Sequence, residues 1–363
     1  MAAPDIEKII SAFPAVGRVE RVSPIDQGHI NSSFCVTAQS GERYVLQMIN
    51  RYVFKQPELV MANICAVTDH LRRKTVASGG DPEREVLTVI PAADGRSFYV
   101  DSEGEYWRMY NFISGATTYE SVVSPDHLKN AGYAFGRFQT LLADFPIDTL
   151  HDTIPDFHNT RKRLDDFFAA VEADAAGRVA DVAEEIEFFR THRELASSLQ
   201  NMLESGELPL RVTHNDTKYN NIMIDDATGS ALCVLDLDTV MPGLSVFDYG
   251  DAIRFAAATA PEDETDLEKM GLDMALFEQF TAGFVSATTG FLSKAEMEHM
   301  VTGAIVITIE LASRFLLDHI NGDKYFRIHR PGHNLDRARA QIALARDMER
   351  KLPQMRAIVE KYI

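Results

Sequence analysis

Thr213-His214-Asn215-Asp216-Thr217-Lys218-Tyr219-Asn220-Asn221, followed at a short interval by Val234-Leu235-Asp236-Leu237-Asp238, decides how this chain of 363 residues is read. Two apolar runs, 222–224 and 231–235, flank the turn formers Asp225-Asp226-Ala227-Thr228-Gly229-Ser230, which is a hairpin signal. A turn centred between Thr228 and Gly229 pairs Asn221 with Asp236 and sets an amide oxygen beside a carboxylate at the hairpin's open end. Both are hard oxygen donors of the kind that Mg²⁺ takes. Asp216 lies in the loop leading into the same end.

Such a set suits phosphoryl transfer. Its transition state is loose, so a protein mainly positions the acceptor hydroxyl and neutralises phosphate charge. Asp216 is the candidate base, orienting a hydroxyl and taking its proton, and Lys218 is placed to reach the transferred group. Asn221 and Asp236 are the candidate metal ligands. Asp236-Leu237-Asp238 also fits the D-x-D metal site of a nucleotide-sugar glycosyltransferase, a reading that leaves His214-Asn215-Asp216 without a role. Asp238 reads as a supporting group, and Asp248 and Asp251 as residues that order the backbone behind the site. His214 reads as a loop-fixing residue, and Asp225 and Asp226 as a solvated turn.

Around this island (210–240) the chain changes character. The first third is β-rich, with strands expected near 17–24, 32–37, 43–49, 97–100 and 106–112, and a helix over 57–74 that starts at Pro57. Beyond Ser114-Gly115 apolar residues recur at helical spacing. Helices are expected over 125–145, 161–175, 183–204, 274–287, 294–320 and 335–351, with Pro353 interrupting the last. The fold class is therefore α+β: a small β-rich domain over 1–113 and a larger, mainly helical one over 114–363.

Composition narrows the function. Apolar residues make up 45% and charged residues 25%, ordinary for a globular chain. The net charge of −18 repels a phosphate backbone and an anionic bilayer, which argues against nucleic-acid and membrane partners. Cys35, Cys65 and Cys233 are scattered and odd in number, so a reducing, cytoplasmic setting is expected. Acidic Asp5 and Glu7 stand where a secretory signal would be basic, and Glu310, Arg314 and Asp318 interrupt the most apolar later segment. No obligate protein partner is evident.

His214-Asn215-Asp216-Thr217-Lys218-Tyr219-Asn220-Asn221 resembles the catalytic loop of protein kinases, and Val234-Leu235-Asp236 resembles their metal-binding aspartate. The Thr-His-Asn-Asp-Thr-Lys variant, followed by Leu-Asp-Leu-Asp-Thr-Val-Met-Pro-Gly, is similar to the aminoglycoside phosphotransferase and choline kinase family, and within it to the N-acetylhexosamine 1-kinases. That resemblance implies a bilobal, protein-kinase-like fold with a nucleotide-binding N-lobe and a catalytic, substrate-binding C-lobe. It implies ATP as donor, Mg²⁺ as cofactor and a sugar hydroxyl as acceptor. The product would be the 1-phosphate of N-acetylglucosamine or N-acetylgalactosamine.

It also implies that His29, Arg314 and Tyr325, with Asp216 and Asp236, bind the sugar. In the β-rich domain the loop Gln27-Gly28-His29-Ile30-Asn31-Ser32-Ser33 is expected over the phosphates, with Ser32 and Ser33 donating hydroxyl or backbone N–H bonds to them, and adenine is expected to meet backbone groups of Asn111, Phe112 and Ile113 at the hinge. Gln47 stands where kinases carry a strand lysine, a departure that moves charge neutralisation towards Mg²⁺ and Lys218. From the residues alone Arg314, a charge in an apolar helix, needs a partner, and Glu310 four positions back can supply it. A kinase of a cationic acceptor, choline or aminoglycoside in type, and a nucleotide-binding pseudokinase remain as alternatives.

Overall fold

Short runs rich in Val, Tyr and Phe in the first third of the chain build a five-stranded antiparallel sheet. The computed structural model describes residues 4–25 and 31–363, so the expectation for His29 falls outside the described residues. The early elements are α1 (Ile6–Ser11), β1 (Val19–Ile25), β2 (Ser32–Ala38), β3 (Arg43–Met48), α2 (Pro57–Ala77), α3 (Pro82–Glu85), β4 (Tyr99–Val100), β5 (Tyr106–Asn111) and β6 (Ala116–Thr117). Next come α4 (Pro125–Leu141), α5 (Thr160–Ala173), α6 (Ala183–Thr191), α7 (Arg193–Ser205), β7 (Arg211–Thr213), β8 (Ile222–Asp225), β9 (Ala231–Val234) and β10 (Met241–Gly243). The chain ends with α8 (Ser245–Ala256), α9 (Met274–Thr288), α10 (Lys294–Glu298), α11 (Met300–Ile320) and α12 (His333–Tyr362).

Two compact units are distinguished. The smaller comprises Met1–Thr117, Asp144–Pro155 and Met223–Met241, and the larger Thr118–Ala143, Asp156–Ile222 and Pro242–Ile363. The expected cut near Ile113 thus gains two later stretches that return to the smaller unit.

In the smaller unit the sheet order is β1-β2-β3-β5-β4, and β6-β8-β9 form a second sheet. Val36, Leu46, Trp107 and Met109 project to one face, where they bury against Ile9, Ile10, Phe13 and Val16 of the N-terminal segment. The opposite face carries Ser33, Gln47 and Arg108 in one row, because Ser33 pairs with Gln47 and Gln47 with Arg108 in the strand register. Asn63 of α2 fastens the returning stretches. Its amide donates to His151 O at 2.8 Å and to Val240 O at 3.0 Å, and its oxygen accepts from His151 N at 2.9 Å.

The larger unit is helical and depends on close approach of backbones. A Cβ on Gly283 of α9 would fall 1.9 Å from Lys129 O of α4. A Cβ on Gly303 of α11 would fall 2.3 Å from Val246 O of α8, so only glycine admits these contacts. The second contact sets α8 directly on α11. Helix α11 is long and apolar enough to cross a membrane, but 78% of its most apolar stretch is buried inside the protein.

Several expectations are corrected. The helix expected over 183–204 breaks at His192 into α6 and α7, and that over 294–320 breaks at His299 into α10 and α11. Helices α1, α3 and α8 and strands β6 and β10 have no counterpart among the expected elements. Pro353 does not interrupt α12. It lies on the exposed side, where water can take the carbonyl it leaves unpaired, and buried Met355 and Val359 pin the turns beyond. The hairpin register also differs. Asp225 N donates to Ser230 O and Gly229, at φ 68°, is absorbed into the turn, so its centre falls one residue earlier than expected. Asn221 and Asp236 are consequently not a ladder pair: β8 starts at Ile222 and β9 ends at Val234.

Candidate active site

The residues expected to form the catalytic loop follow β7, whose end leads into His214 to Asn221. Asn215 adopts a left-handed conformation (φ 64°), tolerated by its short amide side chain, which accepts from Thr213 Oγ1 at 2.9 Å. Asp248 of α8 accepts the N–H groups of His214 at 2.9 Å and Asn215 at 2.7 Å, and Gln139 Nε2 donates to it at 2.8 Å. Burial pushes the Asp248 carboxyl up, against the opposing pull of His214 and these N–H donors. His214 is fully buried edge-on to Phe135 and Phe138, and its Nδ1 accepts from Asp216 N at 3.3 Å. Asp248 and His214 therefore order the loop, as the sequence reading has them.

On that loop the Lys218 ammonium lies 2.9 Å from Asp216 Oδ1. Burial alone would raise the Asp216 carboxyl; Lys218, His214 and Arg254 more than reverse it and hold it below the usual carboxylate range. Burial likewise opposes the Lys218 charge, and Asp216, Asp251 and Glu262 outweigh it, so the lysine is held protonated. Asn221 closes the short 3₁₀ turn Tyr219–Asn221, and its Nδ2 donates to Asp216 O at 2.8 Å. With the nitrogen so engaged, Oδ1 is the end of the amide that a cation would meet.

Behind the loop lies a group that the sequence did not disclose. His158 Nε2 is 3.0 Å from Asn215 O, and Nδ1 is 2.8 Å from Glu310 Oε1. Thr160 Oγ1 donates to Glu310 Oε2 at 2.8 Å, and Arg314 stands 3.8 Å from Oε1. Burial would lower His158, but the Glu310 carboxylate and the Asn215 carbonyl overcome it, so the imidazole is raised above its ordinary value. Arg314 also faces the rings of Phe157 at 5.3 Å and Phe326 at 5.7 Å, and Phe326 meets Tyr325 edge-on at 4.8 Å. Arg314 and Tyr325 are thus brought to one aromatic cluster, and Glu310 pairs with Arg314 as the sequence spacing allowed.

The residues expected on the nucleotide side belong to the smaller unit. Gln47 Nε2 donates to Ser33 Oγ at 2.9 Å, while Gln47 Oε1 accepts from Arg108 Nε at 3.0 Å. Arg108 is 2% exposed and ion-pairs with Asp238, whose other oxygen accepts from Asn31 Nδ2 at 2.7 Å. Asp238 is thereby a supporting group with both oxygens engaged. Asp236 is held at φ 54°, two residues before it. Ser32 is exposed at the start of β2. At the end of β5, Asn111 N–H donates to Thr88 O and Phe112 N–H to Arg43 O, so of the three residues expected at the hinge Ile113 has the N–H outside these bonds. The Asn111 side chain bridges Thr88 N and Glu83 O.

Asp225 corrects the expectation of a solvated turn. It is buried, pairs with Arg84 at 2.8 Å and accepts from Thr228 N at 2.9 Å. The Arg84 guanidinium and Thr228 bring its carboxyl down to about 2.

Among the described residues no group of three or more His, Cys, Asp or Glu side chains is gathered for a metal. Magnesium does not require one: it keeps several waters and takes one or two protein oxygens besides the substrate's phosphates. An amide oxygen such as that of Asn221 and a carboxylate such as that of Asp236 are each donors of that kind, and among the described residues no thiolate or imidazole set is gathered.

An antiparallel sheet unit and a mainly helical unit carrying this loop define a kinase-like phosphotransferase fold. The chain belongs to the phosphotransferase enzyme family APH, whose model matches residues 21–276. Solved structures agree in fold. The microcompartment-associated aminopropanol kinase superposes with a TM-score of 0.63 at 16% identity, covering 97% of this chain and 99% of its own. An aminoglycoside phosphotransferase from Alicyclobacillus acidocaldarius gives 0.61 at 13%, covering 99% and 98%. A choline/ethanolamine kinase family protein from Mesorhizobium loti gives 0.53 at 16%, covering 98% and 99%.

Proposed function

We propose that the protein is an ATP- and Mg²⁺-dependent kinase that phosphorylates the anomeric hydroxyl of an N-acetylhexosamine. The observation that carries the reading is Asp216, kept ionised by Lys218 2.9 Å away on a loop whose backbone Asp248 fixes. An ionised carboxylate accepts the hydroxyl's hydrogen bond, aligns its oxygen and takes the proton as the bond to phosphorus forms. Lys218 offers a cation to the transferred group. Asn221 and Asp236 are the ligands for Mg²⁺, which when bound neutralises the nucleotide phosphates. Ser32, Ser33 and Gln47 are assigned to the phosphates, and backbone groups at 111–113 to adenine.

For the acceptor, His29, Arg314 and Tyr325 are assigned to the sugar, together with Asp216 and Asp236. Arg314 among aromatic rings suits a neutral, polyhydroxylated ligand with an apolar face. The buried acid on the same helix, Glu310, is already bonded to His158 and Thr160 and is not available to a substrate ammonium. A cationic alcohol is the second reading, favoured by the net charge of −18 and by the acceptors named for the similar structures. Three free thiols accord with a reducing, cytoplasmic setting.

A coupled ADP-release assay across N-acetylhexosamines, choline, amino alcohols and aminoglycosides tests the reading. Turnover with N-acetylhexosamines and a phosphorus NMR signal coupled to the anomeric proton are expected. ADP release with cationic acceptors alone would refute the sugar. ATP binding without turnover on the whole panel would identify a nucleotide-binding pseudokinase.

A further inference from the structure

The nucleotide unit lacks a lysine at position 47, yet a cation stands beside it. Arg108 is the direct register partner of Gln47 on the adjacent strand, and the two side chains are bonded at 3.0 Å. Strand alternation puts Arg108 on the polar face of the sheet, opposite the Trp107 and Met109 core. A buried guanidinium is retained in a fold only with partners for its charge and donors. Here they are Gln47 and Asp238, with Met61 Sδ of α2 at 4.0 Å. No acid of α2 is among these partners. The acid comes instead from Asp236-Leu237-Asp238.

We propose that Arg108, the cation that this unit carries beside Gln47, is a positioning residue that fixes the Asp236–Asp238 turn so that Asp236 can meet a magnesium nucleotide. The inference rests on the proposed nucleotide and metal chemistry. Asp238 has no freedom left to ligate: one oxygen holds Arg108 and the other Asn31, whose own Oδ1 accepts from Asn50 N at 3.0 Å. A polar chain therefore runs Asn50–Asn31–Asp238–Arg108–Gln47–Ser33 through the unit. Asp236 hangs from it two residues away, in a left-handed backbone conformation that a side chain rarely adopts unless its surroundings hold it there. The Asp236 charge in turn favours the charged form of Arg108. A lysine at position 47 would reach phosphate directly; Arg108, 2% exposed, acts through the turn.

Calorimetry of ADP binding, with Mg²⁺ and with EDTA, separates these roles in wild type, R108K and R108Q. R108Q is expected to lose about tenfold or more of the Mg²⁺-dependent affinity. Its EDTA affinity should stay near wild type, and R108K should recover most of the loss. If R108Q fails to give a cooperative melt, R108Q/D238N removes both charges and leaves no unpaired carboxylate, and the same selective loss is expected. Unchanged Mg²⁺ enhancement in either folded neutral variant would overturn the proposal, as would an equal loss with and without metal. Failure of both neutral variants to fold would also overturn it, by assigning the pair to the fold alone. A wild-type chain that binds no Mg–ADP would instead remove the proposed function beneath it.

Discussion

His158 Nε2 lies 3.0 Å from the carbonyl oxygen of Asn215, the residue immediately before Asp216. A carbonyl only accepts, so that nitrogen carries hydrogen, and the Glu310 carboxylate at Nδ1 favours a hydrogen there too. The His158 ring links α11 to the loop that carries Asp216.

This link has a pH signature. The folded His158 is raised above its ordinary value of about 6.5, so its stabilisation is fully present below about 6.5 and is lost as pH rises through the folded value. Thermal midpoints of wild type and H158Q, followed from pH 6 to pH 9, are expected to converge as pH increases. A constant gap would show that charge on His158 contributes nothing.

Asp216→Asn keeps the shape but accepts no proton. It should lower kcat by about 10²- to 10⁴-fold while leaving nucleotide affinity near wild type. The asparagine also loses the ionic contact with Lys218. Steady-state kinetics beside ADP titration decide it, and turnover at the wild-type rate would remove Asp216 as the base.

Asn221→Ala deletes an amide oxygen assigned to the metal and an amide that steadies Asp216 O. The Mg²⁺ concentration for half-maximal activity should rise, with part of kcat recovered at high metal. A Mg²⁺ titration that overlays wild type would exclude Asn221 as a ligand.

Asp248→Ala strips the acceptor from two buried N–H groups at the head of the catalytic loop. Unmade buried hydrogen bonds cost about 1–3 kcal/mol each, so unfolding by urea should show a stability loss of a few kcal/mol. A loss confined to activity would mean that water replaces the carboxylate.

Gly283→Ala tests the α4–α9 contact. Its Cβ would fall 1.9 Å from Lys129 O, so one helix must move. Overpacking of this kind costs about 1–3 kcal/mol, readable as a lower Tm. An unchanged Tm would show that the helices separate freely.

Much of the loop was legible in sequence because its groups are neighbours along the chain. Asp216, Lys218 and Asn221 meet within one short turn, and Glu310 reaches Arg314 by helical spacing. The five-stranded sheet was legible too, since its strands are short runs rich in Val, Tyr and Phe set between turn residues. Arg108 and His158 were not. Arg108 meets Asp238 across 130 positions and His158 meets Glu310 across 152, and such pairs leave no local pattern. The hairpin register failed for a different reason: Gly229 took a left-handed place inside the turn and shifted every residue after it. Ser245–Ala256, buried at most of its positions, shows no amphipathic stripe to read.

Chain order and unit membership do not coincide, and this limits how the gene can be cut. A fragment ending at Thr117 would leave Asn63 without His151 and Val240, Arg84 without Asp225, and Arg108 as a buried charge without its acid. Exchange of the sheet unit between relatives therefore has to transplant three separate inserts at once, and single-crossover chimaeras should emerge insoluble.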